Sequence, residues 1–341
     1  MEQNCLPGVG LDIGTMNIVS ARRSKADPSK PVVKSIRDAF LVLPLEHRSM
    51  LKLSEVSFAE NEEQLIILGD AALQIANMLG KEVSRPLSGG VISSQEQDAL
   101  EILALLLENV LGPPLTPGEV CYFSIPANPV DDPATTNTYH EMMFEQILEN
   151  MGYTPIAGNE AMAIVFSETS QDNFSGIAVS YGAGMANIAM AFRTLPILEF
   201  SVKRGGDWID SNAAHVTNIS QSRMCSIKEK GFDLLAPMGR EQEALAVFYK
   251  NLIKYTLQEI LKQFARQGNS AAMDVPIPLV VGGGTSQAQS FVDMFQATFA
   301  KSKHKFPFQI SEIRAAKNPL TCVAEGLLVQ AIQEQDPDQD E

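Results

Sequence analysis

Two segments of the chain share one arrangement, in which an apolar run leads into a turn that contains glycine. The first, "VGLDIGTMNIVSARR", spans residues 9–23, and the second, "IAVSYGAGMANIAMAF", spans residues 177–192. A third glycine turn, "VGGGT", follows an apolar run at residues 281–285. Glycine permits positive φ and close approach of a ligand, and successive amides in such a turn bind anions. Three such turns indicate a phosphate chain held between two lobes, with the third turn beside a nucleoside.

The two matching turns differ in one residue that matters for chemistry. Asp12 precedes the first turn, and Ser180 stands at the corresponding position of the second. A carboxylate beside a phosphate-binding turn can hold a hydrated Mg²⁺ against the phosphates, so Asp12 is the candidate metal ligand. A hydroxyl supplies no negative charge, so the second turn lacks this element.

Composition and charge limit the classes of function. The chain has 341 residues, 45% of them apolar, and a formal net charge of −15, without the Lys and Arg clusters that hold nucleic acid. Four cysteines are widely separated, which excludes a zinc knuckle or a disulfide framework. The start of the chain does not resemble a leader peptide, and no run approaches the ~20 apolar residues of a membrane span. We expect a cytoplasmic protein without an intrinsic membrane anchor.

The order of predicted elements indicates an internal duplication. Strand hairpins followed by helices occur twice, which predicts two α/β lobes. The first lobe is placed at 1–174 with a small insertion at about 31–87. The second is placed at 175–332 with a shortened insertion at about 211–274, and an acidic tail follows at 333–341. The pattern "GDAALQIANMLG" predicts a helix ended by Gly80, and residues 241–268 predict a long amphipathic helix.

The segment "GLDIGTMNI" resembles the first phosphate loop of the superfamily of actins, DnaK chaperones and sugar kinases. The flanking text is most similar to the bacterial actins MreB and MamK. Further matching segments follow in the family's order across residues 9–328: "RPLSGGVISS", "GNEAMAIVF", "KRGGDWIDSNA", "IKEKG", "LVVGGGTSQAQSFVDMF" and "NPLTCVAEGLL". The resemblance implies an actin-like ATPase fold, in which each lobe has a mixed five-stranded sheet flanked by helices. It also implies ATP or ADP with Mg²⁺ in the cleft between the lobes.

The resemblance assigns roles to residues position by position. Asp12 would be a catalytic residue and the metal ligand, and Glu160 would lie near the water that attacks the γ-phosphate. A carboxylate there can orient or deprotonate water. The residues that would bind the nucleotide are Gly14, Thr15, Met16 and Asn17 in the first loop, Gly182, Ala183 and Gly184 in the second, and Gly282, Gly283, Gly284 and Lys228 beside the nucleoside.

Structural interpretations of the same residues remain open. Glu160 is also the type of residue that occurs at a helix start, and Lys228 is typical of a solvated face. The triple glycine at 282–284 is also compatible with close packing of a helix on a strand.

Three departures from the family pattern weaken the expected chemistry. Besides Ser180, Met185 replaces a threonine, and Cys225 stands where an acidic residue would bond the ribose. The region after Asp210 is also short for a bacterial actin. We therefore expect nucleotide binding to outlast hydrolysis.

Two functions remain open at this point. The first is an ATP-binding cytoskeletal protein that self-assembles into filaments, hydrolyses ATP slowly, and serves cell shape or cargo through protein adaptors. The second is a non-polymerising nucleotide-binding scaffold or chaperone-like adaptor with the same fold. A small-molecule kinase is less favoured, because the place for its aspartate base holds Ser180. The preference between ATP and GTP, and the polarity of any filament, are not specified by the sequence.

Overall fold

A computed structural model describes residues 4–61, 63–93, 96, 98–266 and 275–335. The strands of this part of the chain, in order, are β1 Cys5–Ile13, β2 Asn17–Ser24, β3 Pro31–Arg37, β4 Phe40–Pro44, β5 Ala59–Glu60, β6 Gln64–Leu68, β7 Leu87–Ser88, β8 Val91–Ile92, β9 Val120–Ile125, β10 Thr154–Asn159, β11 Gly176–Tyr181, β12 Ala186–Phe192, β13 Leu195–Val202, β14 Ile277–Gly282 and β15 Ile310–Ala315. The α-helices are α1 Arg48–Leu53, α2 Gly69–Leu79, α3 Ala99–Leu111, α4 Thr138–Asn150, α5 Glu160–Glu168, α6 Gly206–Thr217, α7 Gln221–Glu229, α8 Gly239–Arg266, α9 Phe291–Ala300 and α10 Cys322–Gln335.

Two five-stranded sheets have the same topology. The first has the order β10-β9-β1-β2-β3 and the second the order β13-β12-β11-β14-β15. In each, the first three strands in sequence form an antiparallel meander, and two later strands add in parallel beside the first. Helices flank both sheets, so the predicted fold of two similar α/β lobes is confirmed. Strand β1 is parallel to β9, and β11 is parallel to β14. The turns that follow β1 and β11 therefore lie at the carboxyl ends of the parallel strands in their sheets, where ligands bind in α/β folds.

A small three-stranded sheet, β4-β6-β5, packs with α1 and α2 beside the first lobe. Helix α2 ends as predicted, because Gly80 takes the left-handed conformation at φ 64°. The insertion begins later than about residue 31, because Pro31–Arg37 pairs with β2 as the third strand of the first sheet. The side chains of this edge strand are mostly half-exposed, so the apolar pattern that identifies a core strand is weak.

The described residues at which the sequence predicts a second insertion form helices that cover the second sheet. Residues 211–266 belong to α6, α7, α8 and their connections, and their apolar side chains join one core with β11–β14. Residues 267–274 and 336–341 of the predicted insertion and tail lie outside the described residues, and residues 333–335 continue α10.

Helices α5 and α10 pack so closely that only glycine fits at their contact. A Cβ on Gly326 of α10 would lie 1.8 Å from the carbonyl oxygen of Ala163 in α5. A Cβ on Gly10 of β1 would lie 2.1 Å from the carbonyl oxygen of Ala324. Although α10 was placed with the second lobe, its backbone therefore lies directly on the first sheet, while α5 also contacts β11, β12 and β14. The helix pair joins the two sheets.

Substituting Gly326 tests this contact. Gly326→Ala should lower the free energy of unfolding by roughly 3 kcal/mol, because the added methyl group meets backbone atoms that cannot rotate away. Urea unfolding would measure the loss. Gly284→Ala is the matched control, since the nearest atom to its Cβ would be Leu320 Cδ1 at 3.8 Å. Equal stability of the two variants would contradict the close contact.

Candidate functional site

The two glycine turns have equivalent hydrogen bonds. The Gly14 amide donates to the carbonyl oxygen of Asn17 at 3.1 Å, and the Gly182 amide donates to that of Met185 at 3.0 Å. Asp12 and Ser180 each lie two residues before the bonded glycine. The correspondence between these two residues is therefore one of structure as well as of sequence.

A cavity of about 600 Å³ lies between the turns of the two lobes. This volume is in the range of ligand-binding pockets. Both phosphate-type turns, the third glycine turn and the start of α5 contribute to its walls. Of the residues that the sequence assigns to the site, the cavity is lined by Asp12, Gly14, Thr15, Met16, Asn17, Glu160, Gly182, Ala183, Gly184, Lys228, Gly283 and Gly284.

Gly282 does not line this cavity, in contrast to its predicted role. It ends β14 in the interior, where a Cβ would lie 2.6 Å from Cys322 Sγ and 2.9 Å from Ile164 Cδ1. Gly283 is the residue that faces the cavity with a φ of +85°, and its Cβ would lie 2.5 Å from the carbonyl oxygen of Tyr181. Close packing therefore requires glycine at position 282, and the positive φ favours glycine at position 283.

Asp12 is oriented by a side chain from the neighbouring strand. Ser124 Oγ donates to Asp12 Oδ1 at 3.1 Å, and the same hydroxyl accepts from the Ile13 amide at 2.8 Å. Burial raises the pKa of Asp12 well above its ordinary value, and the bond from Ser124 offsets part of that rise. A bound cation would reverse this effect, since it favours the charged carboxylate.

Glu160 is held at the first position of α5. The Asn159 side chain caps the helix by accepting from the amides of Ala161 and Met162 at 2.9 and 3.0 Å. Asn187 Nδ2 donates to Glu160 Oε2 at 2.8 Å, and Asn187 and the Ser180 hydroxyl both act to lower the pKa of this carboxyl group. Burial is the main cause of the raised pKa of Glu160, and the charge of Asp12 adds to it. Ser180 therefore acts on Glu160 as a neutral hydroxyl rather than as a second acid.

Asn187 is a site residue that the sequence analysis missed. It pairs with Ser180 across the β11–β12 ladder, and its Oδ1 accepts from the Ala127 amide at 2.9 Å. The side chain thus links Glu160 to the segment that follows β9. A signal was present, because Asn187 is a polar residue in the apolar run "ANIAMAF", directly opposite Ser180 once the hairpin register is known.

A second missed feature is the hairpin of β7 and β8. The Gly90 amide donates to Thr15 Oγ1 at 3.1 Å. A Cβ on Gly184 would lie 2.3 Å from the Gly90 nitrogen, so the hairpin contacts the turns of both lobes. Gly90 itself has a φ of +86° and packs on Met185, the residue that replaces the family's threonine.

Two ion pairs join the lobes beside the cavity. Arg85 Nη2 lies 2.9 Å from Asp207 Oδ2, and Arg37 Nη1 lies 2.9 Å from Glu229 Oε1. Each arginine comes from the first half of the chain and each acid from the second. All four groups are partly exposed, so each pair contributes little to stability by itself.

Lys228 lines the cavity, but its ammonium group is already paired. Nζ lies 2.6 Å from Asp210 Oδ2 and 3.1 Å from the carbonyl oxygen of Gly206, which ties α7 to α6. The neighbouring Cys225 does not replace the missing acid, because burial raises the pKa of its thiol to about 12.

The donor set of the cavity fits a phosphate chain with a hydrated magnesium ion. Turns with glycine approach the cavity from both lobes, and Asp12 and Glu160 are its carboxylates in the central recess. Among the described residues there is no group of three His, Cys, Asp or Glu side chains placed to hold a metal by themselves. Mg²⁺ commonly keeps several waters and binds one or two carboxylates together with substrate phosphates, which this arrangement can provide.

Two sheets of one topology, with a cavity between their matching turns, define an actin-like fold. The double helical filament of MamK matches with a TM-score of 0.67 and 16% identity over 95% of this chain and 98% of that one. MreB5 of Spiroplasma citri bound to ADP matches with a TM-score of 0.63 and 16% identity over 98% and 99%. The ethanolamine utilization protein EutJ from Carboxydothermus hydrogenoformans matches with a TM-score of 0.55 and 16% identity over 96% and 93%.

The chain belongs to the Volactin family, whose model matches residues 8–331. The resemblance to bacterial actins is thus confirmed for the fold. No curated protein matches the chain. Within the described residues, no helix combines the length and the apolar character needed to cross a bilayer.

Glu160→Gln tests the electrostatics of the site. The folded protein favours protonated Asp12 and Glu160, so it binds more protons than the unfolded chain between the ordinary and the raised pKa values. The free energy of unfolding therefore falls as the pH rises through that window. Removing one of the two titrating groups should reduce the total decrease in the free energy of unfolding across this window. The reduction is about 1.4 kcal/mol for each pH unit by which the pKa of that group is raised.

Urea unfolding from mildly acidic to mildly alkaline pH measures this effect. Glu108→Gln, an exposed substitution on α3, is the control that should keep the slope of the wild type. Parallel pH curves for Glu160→Gln and the wild type would show that Glu160 is not buried as described.

Proposed function

We propose that the protein is an ATP-binding, actin-like cytoskeletal protein that self-assembles and hydrolyses ATP slowly. The observation that carries the proposal is the cavity of about 600 Å³ framed by two equivalent glycine turns, with Asp12 and Glu160 in its recess. The solved neighbours support it, since one is a MamK filament, another is a MamK mutant bound to AMPPNP, and MreB5 is bound to ADP.

Each group of cavity residues would have a separate role in binding and hydrolysing ATP. Amides of the turns at Gly14 and Gly182 would hold the phosphates, and the strand-end turn at Gly283 would lie beside the nucleoside. Asp12, fixed by Ser124, would hold the hydrated metal, which supplies charge neutralisation when bound. Glu160, fixed by Asn187, would orient the attacking water and, in its ionised form, accept the proton of that water.

Slow hydrolysis follows from what stands opposite Glu160. Ser180 brings no negative charge to align the metal and the water. Positioning and charge supply most of the rate enhancement in phosphoryl transfer. Binding requires only the turns and Asp12, so it persists where turnover is weak.

A specific observation favours a second candidate, a non-polymerising nucleotide-binding scaffold or chaperone-like adaptor. The stretch between α6 and α8 consists of α7 and short connections, without a small β-subdomain in its described residues. Assembly through such a subdomain would be lost. Sedimentation with ATP, with ADP and without nucleotide separates the candidates, because only a filament former pellets in a nucleotide-dependent way.

Calorimetry with ATP, ADP and GTP, each with and without Mg²⁺, tests nucleotide binding directly. A protein that shows no heat of binding with any of them in magnesium buffer would contradict the proposal. The comparison of ATP with GTP would also establish the purine preference.

Asp12→Ala should abolish the magnesium-dependent part of nucleotide affinity, because the metal loses its protein ligand. Asp27→Ala, a substitution at a half-exposed residue in the turn between β2 and β3, is the control. The measurement is calorimetric titration with ATP in magnesium and in chelator. An unchanged response to magnesium in Asp12→Ala would remove this residue from the site.

Glu160→Ala should lower ATP turnover by about 10²-fold or more while nucleotide affinity is retained, since general-base assistance contributes this much. Phosphate release and calorimetry on the same preparation measure the two quantities. A fall in affinity with unchanged turnover per bound nucleotide would show that Glu160 is a structural residue.

A further inference from the structure

A pair of exposed apolar side chains lies immediately before α8. Leu235 is 57% exposed and Met238 is 79% exposed. The loop is attached to the start of α9, because the Leu234 amide donates to the carbonyl oxygen of Gln289 at 3.1 Å. Charged residues flank the pair, three of them acidic: Asp233, Arg240, Glu241 and Glu243. We call Leu235 and Met238 with these acids the acidic-apolar loop.

An apolar pocket of about 430 Å³ lies between α9 and β15. Phe299, Phe306 and Phe308 line it, with ring centroids 5.0 and 5.6 Å apart along the series. In a chain whose net charge is −15, Lys303 and His304 also line this pocket, and Lys301 and Lys305 are exposed beside them in the sequence. We call this site the basic-aromatic pocket.

The two surfaces lie at opposite ends of the same helix. Met238 directly precedes α8, and Phe264 in the last turn of α8 stacks on Phe308 of the pocket at 5.0 Å. Helix α8 has 28 residues and is therefore about 42 Å long. The loop is also attached just before α9, and the pocket lies at the other end of that helix of 10 residues, so the loop does not occupy the pocket of its own molecule.

We propose that the acidic-apolar loop of one copy docks in the basic-aromatic pocket of the next. Leu235 and Met238 would leave water for the phenylalanine-lined cavity, and the acids beside them would face Lys303 and Lys305. The inference rests on the proposed self-assembly and names the surfaces that perform it.

The geometry makes this contact a repeating one. Two different surfaces meet, so a head-to-tail pair retains one unused pocket on one copy and one unused loop on the other, and further copies can add at both ends. The loop also adjoins the cavity, which Phe232 lines. The contact thus begins three residues from the wall of the nucleotide site.

The same features argue against an anionic membrane as the occupant of the pocket. Its phenylalanines are buried, with 9% of Phe306 and 6% of Phe308 exposed, so no aromatic side chain projects to enter a bilayer. A pocket of this kind accepts an apolar side chain from a partner. The acidic surface of the rest of the chain would also be repelled by anionic lipid.

Two double variants separate the halves of the contact. Leu235→Asp with Met238→Asp removes the loop, and Lys303→Glu with Lys305→Glu reverses the rim of the pocket. All four side chains are exposed, so the fold is retained. The matched controls are Leu53→Asp with Met78→Asp, which are 86% and 73% exposed on the inserted subdomain. Lys52→Glu with Lys81→Glu are the corresponding charge controls.

Sedimentation velocity with ATP and Mg²⁺ is the measurement. Each double variant alone should associate at least about 30-fold more weakly than the wild type, as expected for loss of a central anchor. An equimolar mixture of the two should form heterodimers that do not grow, because one intact loop and one intact pocket remain between them. Higher salt should weaken association of the wild type but not the fold.

Three outcomes would overturn the inference. The variants could associate as the wild type does, the mixture could remain monomeric, or the wild type could be monomeric in every nucleotide state. Vesicles of phosphatidylglycerol and phosphatidylcholine that bind the wild type through Lys303 and Lys305, without need of Leu235 and Met238, would instead assign the pocket to lipid. Calorimetry with ATP on the same samples keeps the nucleotide proposal separate, since heterodimers without ATP binding would contradict that proposal alone.

Discussion

The contact between α5 and α10 is the constraint on which the site depends. Gly326 meets the backbone of Ala163, and Gly10 meets the backbone of α10, so the helix pair and the first sheet are fixed at the smallest distance that a polypeptide allows. Helix α5 also lies on the second sheet and begins with Glu160. One element therefore sets the spacing of the lobes and delivers a carboxylate into the cavity. A methyl group between α5 and α10 would push the two helices apart, and it would displace both the second lobe and the Glu160 carboxylate.

Duplication of a fold does not require duplication of its chemistry. The two lobes keep the same strand order and the same glycine hydrogen bond, yet the acid at Asp12 corresponds to a hydroxyl at Ser180. Two carboxylates already share the recess, and the charge of Asp12 contributes to the raised pKa of Glu160. A third acid would add to that repulsion, whereas the uncharged Ser180 hydroxyl acts to lower the pKa of Glu160. The asymmetry thus limits charge repulsion in the recess and leaves the second turn without a carboxylate.

The sequence predicts local features well and distant pairings poorly. The hairpin turns, the end of α2 at Gly80 and the long helix α8 follow from glycine conformation and apolar spacing, and they are confirmed. The strand at Pro31–Arg37 was placed in an insertion, because a half-exposed edge strand has little pattern. Gly282 was wrongly assigned to the cavity, since the members of a glycine run cannot be distinguished without their neighbours. Asn187 required knowledge of strand register, and the pairing of Arg37 with Glu229 joins residues 192 positions apart.

Two ion pairs across the cavity, Arg37 with Glu229 and Arg85 with Asp207, affect how the cavity can open. Both pairs join residues of different lobes, so any separation of the lobes breaks the two pairs together. Each pair is weak and screened by salt, but the two act on the same movement. Charges that need not touch a bound ligand therefore resist opening of the cavity, and ionic strength acts on that opening through them.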